Sequence, residues 1–230
     1  MTDVNPIFDS GTRLSGSALA CRRGGRRVFA GLKFEVQAGD FLSLTGKNGS
    51  GKSTFLRLIA GFVGKSSGAI GYCRGGDTSD FLISDDFTMV GHQNGLKSGF
   101  TLRENASFYY RLMTGSNPAA QRLQIAADIF ALGSLLDEPV QYFSSGQCHR
   151  AALMRFPLGA RQIWLMDEPT VGLDDDNRAA LAALIQHHMA CGGIVIAATH
   201  DPMGVAGSVL DMDQFQPNIE VGDDIDGGWL

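Results

Sequence analysis

No apolar run in this chain approaches the roughly 20 residues needed to span a bilayer. The opening stretch MTDVNPIFDS is acidic and polar, which excludes a secretory signal. The chain is therefore expected in the cytoplasm unless something docks it to a membrane. Cysteine is scarce: Cys21, Cys73, Cys148 and Cys191 lie far apart and form no C-x-x-C pair. That spacing argues against structural zinc and for reduced thiols. Positive charge is also short, with 19 Lys and Arg against 24 Asp and Glu, a formal net charge of −5. Phosphate backbones need a basic surface, so nucleic acid is not an expected partner. The one basic cluster, Arg22, Arg23, Arg26 and Arg27, is broken by Gly24 and Gly25 and reads as a solvated hairpin turn. Internal repeats and low-complexity segments are missing too.

What remains is an ordinary globular balance, 44 % apolar and 19 % charged over 230 residues. That length fits one domain, or a domain with an insertion. Residues 1–12 read as a loose tail, and the domain proper as 13–230. Strands are expected at about 13–21 and 28–36, with Arg-Gly-Gly-Arg as the turn between them. A short apolar strand, 41–45, runs into a glycine-rich loop, followed by a helix over 53–60 that Gly61 and Gly64 end. Further strands are expected at 69–73 and 89–92. Thr101-Leu-Arg-Glu104 is a capping box that opens a helix to about Met113, and a second helix is expected over 118–132. Residues 163–166 form a buried strand, 176–191 an amphipathic helix ended by Gly192-Gly193, and 194–198 a last core strand. Strands alternating with helices predict an α/β fold with a mostly parallel core sheet, an N-terminal antiparallel β part and an inserted helical subdomain at about 95–146.

Two motifs carry chemistry. Gly46-Lys47-Asn48-Gly49-Ser50-Gly51-Lys52-Ser53, followed by Thr54, matches G-x-x-x-x-G-K-[ST] between a strand and a helix. Glycines let backbone N–H groups turn inward around phosphate oxygens, and the helix N-terminus adds a positive dipole end. Lys52 would reach the β- and γ-phosphates of ATP, and the Ser53 hydroxyl would ligate Mg²⁺. Ile163-Trp-Leu-Met-Asp167-Glu168 is an apolar strand ending in two acids. Asp167 would hold Mg²⁺ through water, and Glu168 would serve as general base or orient the attacking water. Alone, such an acidic pair often just caps the next element; beside the phosphate loop it forms the second half of a P-loop NTPase site.

Further residues, in order, extend this pair into a resemblance to the ABC ATPase family that covers about Arg13 to at least His200. Phe143-Ser144-Ser145-Gly146-Gln147 resembles the family signature LSGGQ, and Asp167-Glu168-Pro169-Thr170-Val171-Gly172-Leu173-Asp174 its Walker B and D-loop run. Gln93 resembles the family's Q-loop glutamine and His200 its switch histidine. The resemblance implies Gln93 as a Mg²⁺ ligand, His200 as a catalytic partner of Glu168 and Lys52, and Asp174 as the D-loop acid. It also implies that Ser144, Ser145, Gly146 and Gln147 bind the ATP of a second subunit, so that two copies sandwich two nucleotides. Taken singly, Ser144 reads as a helix N-cap and His200 as a loop histidine.

Three departures stand out. The signature begins Phe-Ser-Ser rather than Leu-Ser-Gly, and Cys148-His149 replaces a usually Gln-rich pair. Arg23 stands where the family places an aromatic adenine platform; a guanidinium also stacks on a base, although the solvated turn competes with that role.

The stretches 21–32, 90–97, 101–109 and 192–200 are similar to the CcmA-type subunits of bacterial cytochrome c maturation. This resemblance implies an ATP-hydrolysing subunit of an ABC-type haem exporter, held peripherally at the cytoplasmic face of the inner membrane by an integral membrane subunit. An ABC ATPase for another exported substrate is the alternative. Non-transport members carry long coiled-coil insertions or paired ATPase domains, and neither is present. A dead binding module is disfavoured by Lys52, Asp167, Glu168 and His200 together.

Overall fold

The structure, a computed structural model, describes residues 8–79 and 84–216. Its chain alternates strands and helices in the order β1 (Arg13–Arg23), β2 (Arg26–Gln37), β3 (Phe41–Thr45), α1 (Lys52–Ile59), β4 (Ser67–Arg74), β5 (Asp77–Ser79) and β6 (Phe87–Val90). Four helices follow, α2 (Leu102–Thr114), α3 (Ala120–Ile129), α4 (Ser145–Leu153) and α5 (Arg155–Gly159). Then come β7 (Ile163–Asp167), α6 (Asp175–Ala190), β8 (Ile194–Ala198) and β9 (Ser208–Asp211).

Two sheets result. The antiparallel one runs β2-β1-β4-β5, and the parallel one β6-β7-β8-β3-β9. The β1–β2 hairpin turns on Gly24 and Gly25, with φ of 53° and 77°, the positive values a tight hairpin needs. In the parallel sheet, β7 and β8 are buried at every position, as strands covered on both faces must be. Side chains alternate between those faces. Ile163, Leu165, Ile194 and Ile196 pack with Phe55, Leu56 and Ile59 of α1 and with Leu14, Phe29 and Leu32 of the antiparallel sheet. Trp164, Met166, Val195 and Ala197 pack on the opposite face with Phe130, Phe156, Leu181 and Ile185.

The segment between β6 and β7 is helical throughout its regular elements. Its first helix begins as the sequence indicates: Thr101 accepts from Glu104 N, and the Glu104 carboxylate accepts from Thr101 N at 2.8 Å. No helix among the described residues is long and apolar enough to cross a membrane.

The tail expected to be loose is in part pinned. Residues 1–7 lie outside the described residues, but from Phe8 onward the chain is bound to the body. Phe8 N donates to Cys191 O at 3.0 Å, and the fully buried Thr12 hydroxyl donates to Gln162 Oε1 at 2.9 Å. Gln162 in turn donates to the carbonyls of Asp9 and Gly192, at 2.7 and 3.0 Å. A buried amide must satisfy its polar atoms, and this one does so by fastening the N-terminal segment to the edge of β7.

His188, on α6, is buried and stacks on Trp164 with ring centroids 3.6 Å apart. Its Nε2 faces Gln162 O at 3.0 Å, and burial pushes the imidazole pKa down from 6.5 to about 3. The folded protein therefore resists a proton that the unfolded chain accepts. Stability is complete above the unfolded value and is lost as pH falls from about 6.5 toward 3, by at most about 1.4 kcal/mol per pH unit from this group. Urea midpoints measured from pH 7 down to pH 4.5 should fall on that limb, and His188→Phe should flatten it. An identical slope in the variant would remove His188 as the cause.

Candidate functional site

In the parallel sheet β3, β8 and β7 are adjacent, and all three end at the same edge. Ala198 lies level with Leu44 on one side and with Asp167 on the other. Backbone bonds continue the match beyond the strands: Glu168 N donates to Ala198 O at 2.8 Å and Thr199 N to Leu44 O at 3.3 Å. The carboxyl ends of parallel strands are where α/β proteins place ligands. Here that edge collects the phosphate loop after β3, the acidic pair at the end of β7, and His200 just past β8.

The loop from Gly46 to Gly51 wraps around the start of α1. Gly46, Gly49 and Gly51 have φ of 127°, 85° and 101°, backbone that residues with a β-carbon rarely adopt. Gly51 also lacks room: a β-carbon there would stand 2.8 Å from Val28 Cγ1. Lys52 is buried, and its Nζ donates to Gly46 O at 2.8 Å and to Lys47 O at 3.2 Å. The ammonium is thus folded back over the loop that carries it. Ser50 is fully buried, and its hydroxyl has no hydrogen-bond partner among the described residues. Lys47 N donates to the Asp213 carboxylate at 3.1 Å, which ties the loop to the segment after β9. Asn48 and Gly49 are exposed at the tip, and Thr54 follows Ser53 in α1.

Ser53 Oγ donates to Asp167 Oδ1 at 2.8 Å. This is the contact that joins the two motifs, and it sets a hydroxyl and a buried carboxylate side by side, the oxygen donors that suit a hard divalent cation. The next residue, Glu168, adopts a left-handed backbone with φ of 54°, a strained choice for a non-glycine residue. Its Oε1 lies 3.4 Å from His200 Nε2. Asp174 caps α6, accepting from Asn177 N at 2.9 Å; that backbone bond, with the Asn177 side chain, holds its pKa down.

The signature segment begins α4. Ser144 is the N-cap, its hydroxyl accepting from Gln147 N at 3.2 Å while Gln147 Oε1 accepts from Ser144 N at 2.8 Å. Ser145 and Gly146 line a cleft of about 170 Å³ together with Asp167, Glu168, His92, Asn94 and His149. Gln93 does not share this cleft. It is exposed and lines another with Arg57, Phe62 and Tyr109, so its neighbours His92 and Asn94, rather than Gln93 itself, stand near the acids. The strand before it ends at Val90, earlier than the expected 92, which leaves all three in the loop. Arg23 sits at the exposed end of β1, opposite Arg26, and Arg22 closes the turn through Gly25 O at 2.8 Å. Of this hairpin, Val28 and Phe29 are the residues that lie against Gly51 of the phosphate loop.

Two contributors have no role that the sequence assigns. Asp213 bears no motif and meets the loop only through tertiary folding. His149 departs from the family pattern, but its bond to Pro169 O, 3.0 Å from Nε2, has no local cause that the sequence displays.

Comparison with known proteins identifies the family. A family model for ABC transporters matches residues 29–171. A cytochrome c biogenesis ATP-binding export protein CcmA from Mesorhizobium japonicum is 41% identical over 201 residues, covering 87% of this chain and 98% of its own. Its counterpart from Rhodopseudomonas palustris is 40% identical over 193 residues, covering 84% and 94%. A solved dimeric ATP-binding cassette, bound to ADP and Pi after hydrolysis, superposes with a TM-score of 0.75 at 20% identity, covering 88% of this chain and 94% of that one. On the matched family and on these relatives, the chain belongs to the ATP-binding proteins of the ABC transporter family.

Proposed function

We propose that this chain is the ATP-hydrolysing, energy-coupling subunit of an ABC exporter complex that serves c-type cytochrome biogenesis by haem delivery. The observation that carries the ATPase part is the 2.8 Å bond from Ser53 to Asp167, with Lys52 held over the glycine loop beside it. The cytochrome part rests on the relatives named CcmA.

In this reading the loop amides from Gly46 to Thr54 hold the phosphates of ATP, and Lys52 turns from its own loop carbonyls to the β- and γ-phosphates. Ser53 and Asp167 would hold Mg²⁺, whose contribution when bound is to neutralise phosphate charge, and Gln93 would join them only by leaving the cleft it lines. Glu168 takes the proton of the attacking water or orients it, and His200 steadies the same carboxylate. Arg23 is the candidate adenine platform. Ser144 to Gln147 act on the nucleotide of a second copy, with the D-loop ending at Asp174 beside them, in an ATP-dependent homodimer. We read 13–230, of which 80–83 and 217–230 lie outside the described residues, as a single ATPase domain with its helical insertion at about 95–146.

The partner is an integral membrane subunit, which would hold the chain peripherally at the cytoplasmic face of the inner membrane. The cleft lined by Gln93, Phe62 and Tyr109 continues into one lined by Phe108, Leu112 and Arg155. Phe62 is 67% exposed, Phe108 51% and Leu112 71%, a concentration of apolar surface that supports docking there. Changing both Phe108 and Leu112 to Glu should lower the membrane-bound fraction at least about tenfold when the partner is co-expressed. The purified variant should keep its nucleotide binding. Unchanged fractionation, or membrane association without any partner, contradicts the proposal.

A further inference from the structure

The turn that carries Glu168 is bound from an unexpected side. Glu168 holds its strained backbone through its own N–H to Ala198 O, at 2.8 Å, and through Val171 N to Glu168 O, at 3.3 Å. The next carbonyl, that of Pro169, faces His149 Nε2 at 3.0 Å. His149 lies on α4, about one turn past the N-cap Ser144. A second contact joins the same two elements: a β-carbon on Gly146 would stand 3.2 Å from Gly172 O, so α4 approaches the turn at backbone distance.

We propose that His149 is a positioning residue for hydrolysis, which fixes the backbone of Glu168 relative to the signature helix by donating a hydrogen bond to Pro169 O. The proposal rests on the assignment of Glu168 as base or water-orienting group. A carbonyl only accepts, so the Nε2 atom must carry the proton. Burial, the larger cause, and the nearby His92 pull the His149 pKa down against the Pro169 bond, which favours the neutral ring. The neutral ring has one N–H, and the bond to Pro169 O assigns it to Nε2.

The geometry explains why such a link is useful. A left-handed, non-glycine backbone persists only where its surroundings over-determine it. Pro169 O belongs to the 169–170 peptide, and the fixed φ of proline couples that peptide to the 168–169 one; a small rotation there swings the Glu168 carboxylate away from the His200 ring, now 3.4 Å distant. Because the other end of the link is the signature helix, a shift of α4 reaches the turn that carries Glu168 through Pro169. The bond thus joins the segment that would sense a second subunit's nucleotide to the group that acts on water.

The test compares steady-state Mg-ATP hydrolysis by the full chain with that of His149→Phe, His149→Met and His149→Gln. Phe keeps the ring without an N–H, Met keeps length without one, and Gln supplies an amide donor. We expect Phe and Met to lower kcat about fivefold to tenfold, with KM for ATP within about twofold, since the lost interaction is one hydrogen bond at the reacting end of the site. Gln should restore kcat to within about twofold of the parent. If Phe does not fold, Met carries the same comparison. Parental kcat in the donor-less variants overturns the proposal. So does a joint change of kcat and KM that Gln fails to rescue, because that is general damage rather than positioning. Glu168→Gln run alongside separates the two assignments: its retaining parental activity would fault the role of Glu168, whatever His149 does.

Discussion

Lys52→Ala should abolish ATP hydrolysis, with a fall of at least about a thousandfold in phosphate release. The side chain is 6% exposed and lies inside the glycine loop, with its ammonium donating to Gly46 O and Lys47 O. Those carbonyls hold the ammonium only until a stronger acceptor arrives, and the phosphate oxygens of ATP are charged where the carbonyls are neutral. Phosphoryl transfer asks little covalent chemistry of the protein, so catalysis is mostly positioning and charge stabilisation. Removing the buried cation of the loop therefore removes the main protein contribution. Lys52→Arg should not rescue, because a planar guanidinium fork is too bulky for a pocket shaped around a compact ammonium. Chelating divalent metal with EDTA should silence the parent as well, since Ser53 and Asp167 then have nothing to hold against the phosphates. The measurement is phosphate release by purified protein, with and without its membrane partner. Parental rates in Lys52→Ala would show that the site is misassigned.

The parts of this site that are legible in the sequence are those with local causes. A glycine loop must have glycines where φ is positive, and it must sit between a strand and a helix; Gly46, Gly49, Gly51 and Lys52 announce both. The acidic pair after an all-apolar strand is equally local, as is the Thr101–Glu104 capping box. Ser144 reads as an N-cap, and the structure caps α4 with it. Bonds between distant residues leave no such mark. Thr12 and Gln162 are 150 positions apart, yet their buried bond turns the end of an expected loose tail into part of the body. Asp213 reaches the loop across 166 positions. His149 shows the intermediate case. Its identity is visible as an oddity beside the signature, but its role depends on which carbonyl the fold brings within 3.0 Å. Gln93 shows the reverse, since its motif position is legible while the loop that carries it points it into a different cleft from Asp167.

Glu168→Gln should be dimeric in Mg-ATP and mainly monomeric in ADP. The amide keeps the size and hydrogen-bonding shape of the carboxylate but cannot take a proton, so ATP binds and stays intact. In the proposed sandwich Ser144 of each copy meets the γ-phosphate held by the other, an isologous arrangement in which the same patch serves twice. ATP then acts as an adhesive that ADP cannot replace, because ADP has no γ-phosphate for Ser144 to meet. Light scattering on the variant in each nucleotide measures this directly. A second substitution separates that interaction from helix stability. Ser144 also caps α4, so changing it to Ala would remove an acceptor worth about 1 kcal/mol and blur the result. Ser144→Asp keeps an acceptor for Gln147 N but places a carboxylate where the phosphate must come. The double variant Glu168→Gln, Ser144→Asp should therefore keep its fold and its nucleotide, since Lys52 and the loop are untouched, and should remain monomeric in Mg-ATP. Dimers that survive in the double variant would remove Ser144 from the interface. A Glu168→Gln protein that stays monomeric with ATP demonstrably bound, both alone and with the membrane subunit, would sink the sandwich itself.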